Sequence, residues 1–266
     1  MRTFTDQLNR ELQIPDFPKR IVSICPAITE TLFALDATEH IVGRTKFCIF
    51  PKGEVERLPH VGGTKDVNID QVRALKPDLI LAEKEENTKE TVEALSTIAP
   101  VVVMEVQTID DSYRLIQDLG EVTGHLEQAE TIAKDAKLAF ERLPKLQNSR
   151  VLYFIWRKPY MVVGNTTYIQ SVLEHLGLEN AAKHLEGRYP DLTPELLKEL
   201  APDAILLSSE PFPFSEKHQK ELATILPDTP SLLVDGEMFW YGSKMLEASP
   251  YYALLVDQLR EVARTE

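Results

Sequence analysis

Asp70–Leu81 reads DQVRALKPDLIL, and 125 positions later Glu195–Leu206 reads ELLKELAPDAIL. Each segment opens on an acid, places a base three residues on, and passes through Leu and Pro-Asp into an apolar run. Two readings fit: a generic helix–Pro-Asp–strand junction met twice, or an internal repeat with one copy in each of two lobes.

The surroundings of both segments extend the pattern. Residues 1–19 read as an extended or loosely ordered arm ending at Pro15 and Pro18. Arg20–Ser23 is short, apolar and β-branched, as a buried strand should be, and Pro26 then opens a helix through Leu35. Ile41–Thr45 is a second strand, and Gly62, Gly63 and Thr64 form a turn. Asn68 is the natural N-cap of the helix that Pro77-Asp78 stops. Strands at Leu79–Ala82 and Val101–Val106 alternate with helices at Thr88–Ile98 and Asp111–Thr123. His125–Leu143 is alanine-rich and charged, with apolar Ile132, Ala136, Ala139 and Phe140, and predicts one uninterrupted connecting helix. Beyond Pro144 and Asn148 the alternation restarts. Strands fall at Arg150–Ile155, Ala204–Ser208 and Leu232–Val234. Helices fall at Thr167–Leu176, Thr193–Leu200, Lys217–Leu226 and Pro250–Val262. Such alternation implies α/β architecture with parallel sheets covered on both faces. The expected organisation is an N-terminal lobe (1–123), a long backbone helix (124–147) and a C-terminal lobe (148–266), with a ligand cleft between the lobes.

Bulk composition narrows the function. The net charge of −13 opposes nucleic-acid binding and broad adhesion to anionic membranes, and no apolar stretch is long enough for a membrane span. The start, MRTFTDQLNRELQIPDF, lacks the apolar region of a signal peptide, so the chain as given reads as cytoplasmic unless it is a processed form. The six histidines (His40, His60, His125, His175, His184 and His218) make neither HxxxH nor HExxH. There is no GxSxG elbow and no P-loop. Cys25 and Cys48 have no zinc spacing; they are free, bridged or ligand-contacting thiols, with buried inert thiols the default.

Ligands of open parallel sheets meet the carboxyl ends of strands. Following the strands gives Cys25, then Lys46, Phe47 and Cys48, then Glu83–Asn87. In the second half it gives Trp156, Arg157 and Tyr160, then Glu210 and Phe212, then Phe239, Trp240 and Tyr241. Both tryptophans lie at such ends, an enrichment that suits a pocket for a large, partly apolar ligand. Each residue has a plainer alternative: Trp156 as a cap on the sheet, Arg157 as a surface ion-pair partner, Glu83–Glu86 as a solvated loop.

RIVSICPAITETLFAL, VNIDQVRALKPDLILA and TPELLKELAPDAILLSS together resemble the substrate-binding proteins of ABC importers for cobalamin, haem and ferric siderophores, over residues 20–260. The resemblance implies two lobes bridged by one helix, limited closure, and export to the periplasm or cell exterior. It also implies that one acid on each lobe, here Asp70 and Glu195, docks onto permease arginines; both would equally serve the dipoles of their helices. Phe47, Thr64, Glu83 and Tyr189 align with cleft aromatics of cobalamin-binding relatives, and Arg157, Lys46 and Lys65 suit a ferric chelate's anionic oxygens.

The expected ligand set is therefore Lys46, Phe47, Cys48, Thr64, Lys65, Glu83, Asn87, Trp156, Arg157, Tyr160, Tyr189, Glu210, Phe212, Phe239, Trp240 and Tyr241. No catalytic residue, protein-held metal or covalent cofactor is expected. The leading reading is a monomer that binds a metal chelate, ferric siderophore or corrinoid, for an ABC permease. The alternatives are a cytoplasmic sensor or handling protein for such a ligand, and an enzyme using Cys48 as nucleophile.

Overall fold

The computed structural model describes residues 1–147 and 149–263; Asn148 of the expected interlobe break and the last three residues of the expected C-terminal lobe lie outside them. Two units emerge. The first comprises Met1–Val106, Asp110–Lys137 and Tyr241–Lys244; the second comprises Gln107–Ile109, Leu138–Trp240 and the chain from Met245 on.

The first unit begins with an antiparallel hairpin, β1 (Arg2–Thr5) and β2 (Glu11–Ile14), where an extended or loosely ordered arm was expected. Its turn explains the difference. The buried Asp6 carboxylate accepts from the backbone N–H groups of Leu8 and Arg10 and pairs with the Arg10 guanidinium. Asn9 takes the left-handed backbone, φ 59°, a conformation Asn tolerates. The main sheet follows: β3 (Ile21–Ser23), α1 (Pro26–Ala34), β4 (Ile41–Arg44), α2 (Ile69–Leu75), β5 (Leu79–Glu83), α3 (Lys89–Leu95) and β6 (Val101–Met104). The four strands run parallel in the order β4-β3-β5-β6. β3, β5 and β6 are buried along their whole length, as strands with both faces covered must be. Val22, Ile80, Val101 and Val103 pack with Val72 and Leu95 of the helices. α4 (Ile109–Thr123) and α5 (Leu126–Glu141) follow. α5 is the helix expected at 125–143, and it starts in the first unit and ends in the second.

The second unit repeats the topology with additions. Its elements are β7 (Ser149–Trp156), β8 (Tyr160–Val162), α6 (Tyr168–His175), β9 (Leu178–Asn180), β10 (Asp191–Leu192), α7 (Pro194–Leu200), β11 (Ala204–Ser208), α8 (Glu216–Ala223), β12 (Ser231–Val234) and α9 (Lys244–Ala263). The parallel strands run β9-β7-β11-β12, the same order relative to sequence as in the first unit. β8 and β10 are antiparallel additions that the expected all-parallel pattern omitted. They are two or three residues long, too short to show a period. α9 begins six residues before Pro250, which lies inside it. Pro250 deprives the Leu246 carbonyl of its helical donor, and Leu246 lies on an exposed turn where that loss is tolerated. Among the described residues no helix is long and apolar enough to cross a membrane.

The two quoted segments fold alike. Asn68 caps α2 by accepting from the Gln71 N–H, and Thr193 caps α7 by accepting from the Leu196 N–H. Both helices close on a left-handed residue, Lys76 (φ 48°) and Ala201 (φ 44°), before Pro-Asp.

Candidate functional site

In the first unit the strand ends are tied together from inside. Asn87 Nδ2 donates to the carbonyls of Ile24 and Thr64, 3.0 Å each, while its Oδ1 accepts from the Glu83 N–H at 2.9 Å. One buried side chain thus fixes the end of β3, the Gly62–Lys65 turn and the end of β5. Gly62 has φ +100°, and a Cβ there would lie 2.5 Å from the Asp66 carbonyl, so the turn needs glycine. Glu83 points inward: Oε2 accepts from Glu85 and Glu86 N–H and Oε1 from Val106 N–H. Burial pushes its carboxyl up to about 7 in spite of those three donors, and burial also raises Glu86. Thr64 is buried as well. The side chains of Glu83 and Asn87 are therefore occupied in shaping the loops, a positioning role that the sequence did not assign to them, and Thr64 takes part through its backbone carbonyl.

Phe47 stands out from this surface, half exposed, with the Lys46 ammonium 5.0 Å from its ring centroid. Lys46 also approaches Asp66 at 3.8 Å, and Lys65 Nζ donates to the Glu85 carbonyl. Both thiols are buried and free. Thr29 Oγ1 lies 3.0 Å from the Cys25 carbonyl and 3.1 Å from Cys48 Sγ. Cys25 Sγ meets the Tyr241 hydroxyl at 3.4 Å. Burial, reinforced by Glu86 and Glu83, drives the Cys25 thiol well above its ordinary value, and burial raises Cys48 and Tyr241.

In the second unit, β7 turns back into β8 around Trp156–Tyr160, with a register shift between Phe154 and Trp156. Trp156 is 41% exposed, with its ring edge-to-face against Phe212 at 5.7 Å. Phe212 packs in turn on Phe214 and His218. Arg157 Nε and Nη2 both donate to Glu221, at 2.9 and 2.7 Å from Oε2, and the Tyr160 hydroxyl donates to Glu221 Oε1 at 2.5 Å. The pair holds the Glu221 carboxyl below the usual range through Arg157. Burial and the bond to Glu221 push the Tyr160 phenol up to about 12. Trp240 Nε1 donates to Glu210 Oε1. Tyr189 is half-buried just before β10. Phe239, expected at the ligand surface, is buried between Tyr153 and Tyr252, because the 3-10 turn at Gly236–Phe239 directs it into the core. Sequence reasoning missed Glu221 entirely: its partner Arg157 is 64 positions away, and no local pattern links them.

Asp70 and Glu195 occupy the same second position of α2 and α7, and both are exposed. Asp70 pairs with Arg73 one turn on. The Glu195 carboxyl is lowered by its own backbone N–H and by the Thr193 hydroxyl. No group of three or more metal-ligating His, Cys, Asp or Glu occurs among the described residues.

Two α/β units of like strand order, each with aromatic and charged side chains at its strand ends, define the class of two-lobed ligand-binding proteins. The family model described as periplasmic binding protein matches residues 21–230, and the chain belongs to that family. This is a family of substrate-binding proteins. A vitamin B12-binding protein of Pectobacterium carotovorum is 28% identical over 201 residues, 73% of this chain and 72% of the relative. An uncharacterized ABC transporter substrate-binding lipoprotein of Bacillus subtilis is 29% identical over 217 residues, 77% of this chain and 68% of the relative. Among solved structures, the molybdate periplasmic binding protein MolA of Haemophilus influenzae superposes with a TM-score of 0.79 at 21% identity, covering 98% of this chain and 93% of MolA.

Proposed function

We propose that this protein binds a metal chelate, a ferric siderophore or a corrinoid, without transforming it, and delivers it to an ABC permease. The observation that carries this reading is the exposed indole of Trp156, braced by Phe212 at the strand ends of the second unit. A large aromatic held edge-on by another and left open to solvent is suited to an extended, partly apolar ligand. Half-exposed Phe47 gives the first unit a similar feature. The B12-binding relative supports a corrinoid, and the molybdate-binding neighbour shares the fold with a ligand of other chemistry. Asp70 and Glu195, exposed at equivalent helix starts, are the proposed permease contacts.

Titration with cobalamins and ferric siderophores, followed by tryptophan fluorescence, tests the reading. Saturable quenching by at least one chelate is expected; no response from any of them would refute it.

A further inference from the structure

Most of the cations at the strand ends are engaged. In the first unit Lys46 faces Asp66, Lys65 Nζ is held by the Glu85 carbonyl, and Lys84 pairs with Glu105 at 2.6 Å. In the second unit the engagement is tighter. Glu221 is held by two guanidinium nitrogens of Arg157 and by the Tyr160 hydroxyl. The arginine and glutamate side chains are only 23% and 33% accessible, so water screens the pair less than it would an open surface pair. A charge-assisted, two-pronged pair with a third bond is among the stronger polar contacts a protein makes.

We infer that Glu221 sets the charge selectivity of the proposed site, neutralising Arg157 and occupying Tyr160 so that the aromatic surface beside them accepts uncharged metal chelates and rejects anionic ones. This deepens the proposed function and rests on it. An anionic chelate must either leave Arg157 paired, and then meet the Glu221 carboxylate at close range, or pull the guanidinium away and leave Glu221 without its counter-charge. Either course is unfavourable. Other nearby charges do not reverse the balance. Burial and the neighbouring Lys217 and Arg157 lower the His218 pKa, which keeps the imidazole neutral at pH 7. Lys158, at the hairpin tip, is exposed and has no ion-pair partner among the described residues. It offers only a solvated point charge, which water and salt screen. An uncharged chelate meets none of this, and it covers Trp156 and Phe212 at no electrostatic cost.

The test is equilibrium binding of two ligand pairs, each pair differing in charge, to the wild type, Glu221→Gln, and Glu221→Gln combined with Arg157→Met. One pair is cyanocobalamin with its monocarboxylate derivative; the other is a ferric trihydroxamate with an anionic ferric tricatecholate. Circular dichroism checks the fold of each variant. The wild type is expected to favour the uncharged or cationic member of a pair by about tenfold or more. Glu221→Gln should shrink or invert that ratio, and the double variant should lose the gain for the anion, since the gain depends on a liberated guanidinium. Loss of packing alone would weaken both members equally and leave the ratio unmoved. A wild type that binds the anionic member as well as the uncharged one, or a ratio unmoved by Glu221→Gln, overturns the inference while leaving chelate binding intact. Absence of binding by every chelate overturns the proposed function and this inference with it.

Discussion

Asp203 is the counterpart of Asp78: each carboxylate accepts a backbone hydrogen bond from the arginine at the start of the neighbouring central strand, Arg150 at 2.6 Å and Arg20 at 2.9 Å. Each aspartate also donates its own N–H back to that arginine's carbonyl. The arginine in turn reaches the last carbonyls of the preceding helix, Leu75 and Lys76 in one unit and Ala201 in the other. The Pro-Asp of the repeated segment is thus a staple that seats a short helix against the first strand of its sheet. A chance junction would share the proline and the strand without sharing this reciprocal set of bonds.

Asp78→Ala and Asp203→Ala should therefore destabilise the protein by similar amounts, about 1–3 kcal/mol each. The two sites share no partner, so the double variant should be close to additive. Urea unfolding of the four proteins measures this. A negligible effect at either position would mean that the repeat has sequence likeness without a common structural role.

Much of the fold was legible because it rests on local rules. Asn68, Thr88, Thr167 and Thr193 announce helix starts and do cap them. The apolar runs at Leu79 and Ala204 are fully buried strands. What escaped was set by distant partners or by lengths too short for a period. β10 has two residues, and the first hairpin depends on Asp6 closing its own turn. For the expected ligand residues, placement at strand ends was legible and the partners of their side chains were not. Trp156 and Phe47 face solvent. By contrast Glu83 and Asn87 turn inward, because a loop at the end of a buried strand must satisfy its own amides before it can serve a ligand.

Glu83 makes stability depend on pH. Its carboxyl is raised to about 7 in the folded chain, above its ordinary range, so the native state holds a proton that the unfolded chain releases near 4.5. The contribution is fully present below about pH 4.5 and is lost as pH rises toward and through 7. Between pH 5 and 7.5 the unfolding free energy should fall, and Glu83→Gln should flatten that slope while lowering stability below pH 5, since an amide cannot accept from all three N–H groups. Urea midpoints measured across this range decide it; an unchanged slope in the variant would assign the pH dependence to other groups.

Trp156→Ala should weaken chelate binding on the order of thirtyfold, the loss typical of a central aromatic anchor. Its stability cost should stay within about 1–2 kcal/mol, because the ring is already 41% exposed. Titration and thermal unfolding separate the two effects. A large stability loss with unchanged affinity would make Trp156 a cap on the sheet.

Asp70→Lys with Glu195→Lys should leave chelate affinity unchanged and abolish uptake by cells that depend on this protein. Asp70 is 91% exposed and bonded within its own helix, and Glu195 occupies the equivalent place. Reversing both charges removes the favourable interaction with their helix starts, so circular dichroism must accompany the uptake assay. Normal uptake by a folded double variant would exclude these acids as permease contacts.

Cys48 is where a catalytic alternative would have to stand, and its surroundings oppose it. A nucleophilic cysteine needs its thiolate favoured by a positive environment and open to a substrate. Cys48 is almost wholly buried and its thiol is raised by that burial, with hydrogen bonds from Thr29 and Thr45 only partly compensating. Cys25 is disfavoured further by two carboxylates, Glu86 and Glu83. Iodoacetamide at pH 7.5 should therefore modify both thiols at least about a hundredfold more slowly in the native protein than in urea. Mass spectrometry of timed samples assigns the rates. Fast native alkylation of Cys48 would show a thiolate that this environment should not permit, and would favour the alternative of an enzyme using Cys48 as nucleophile.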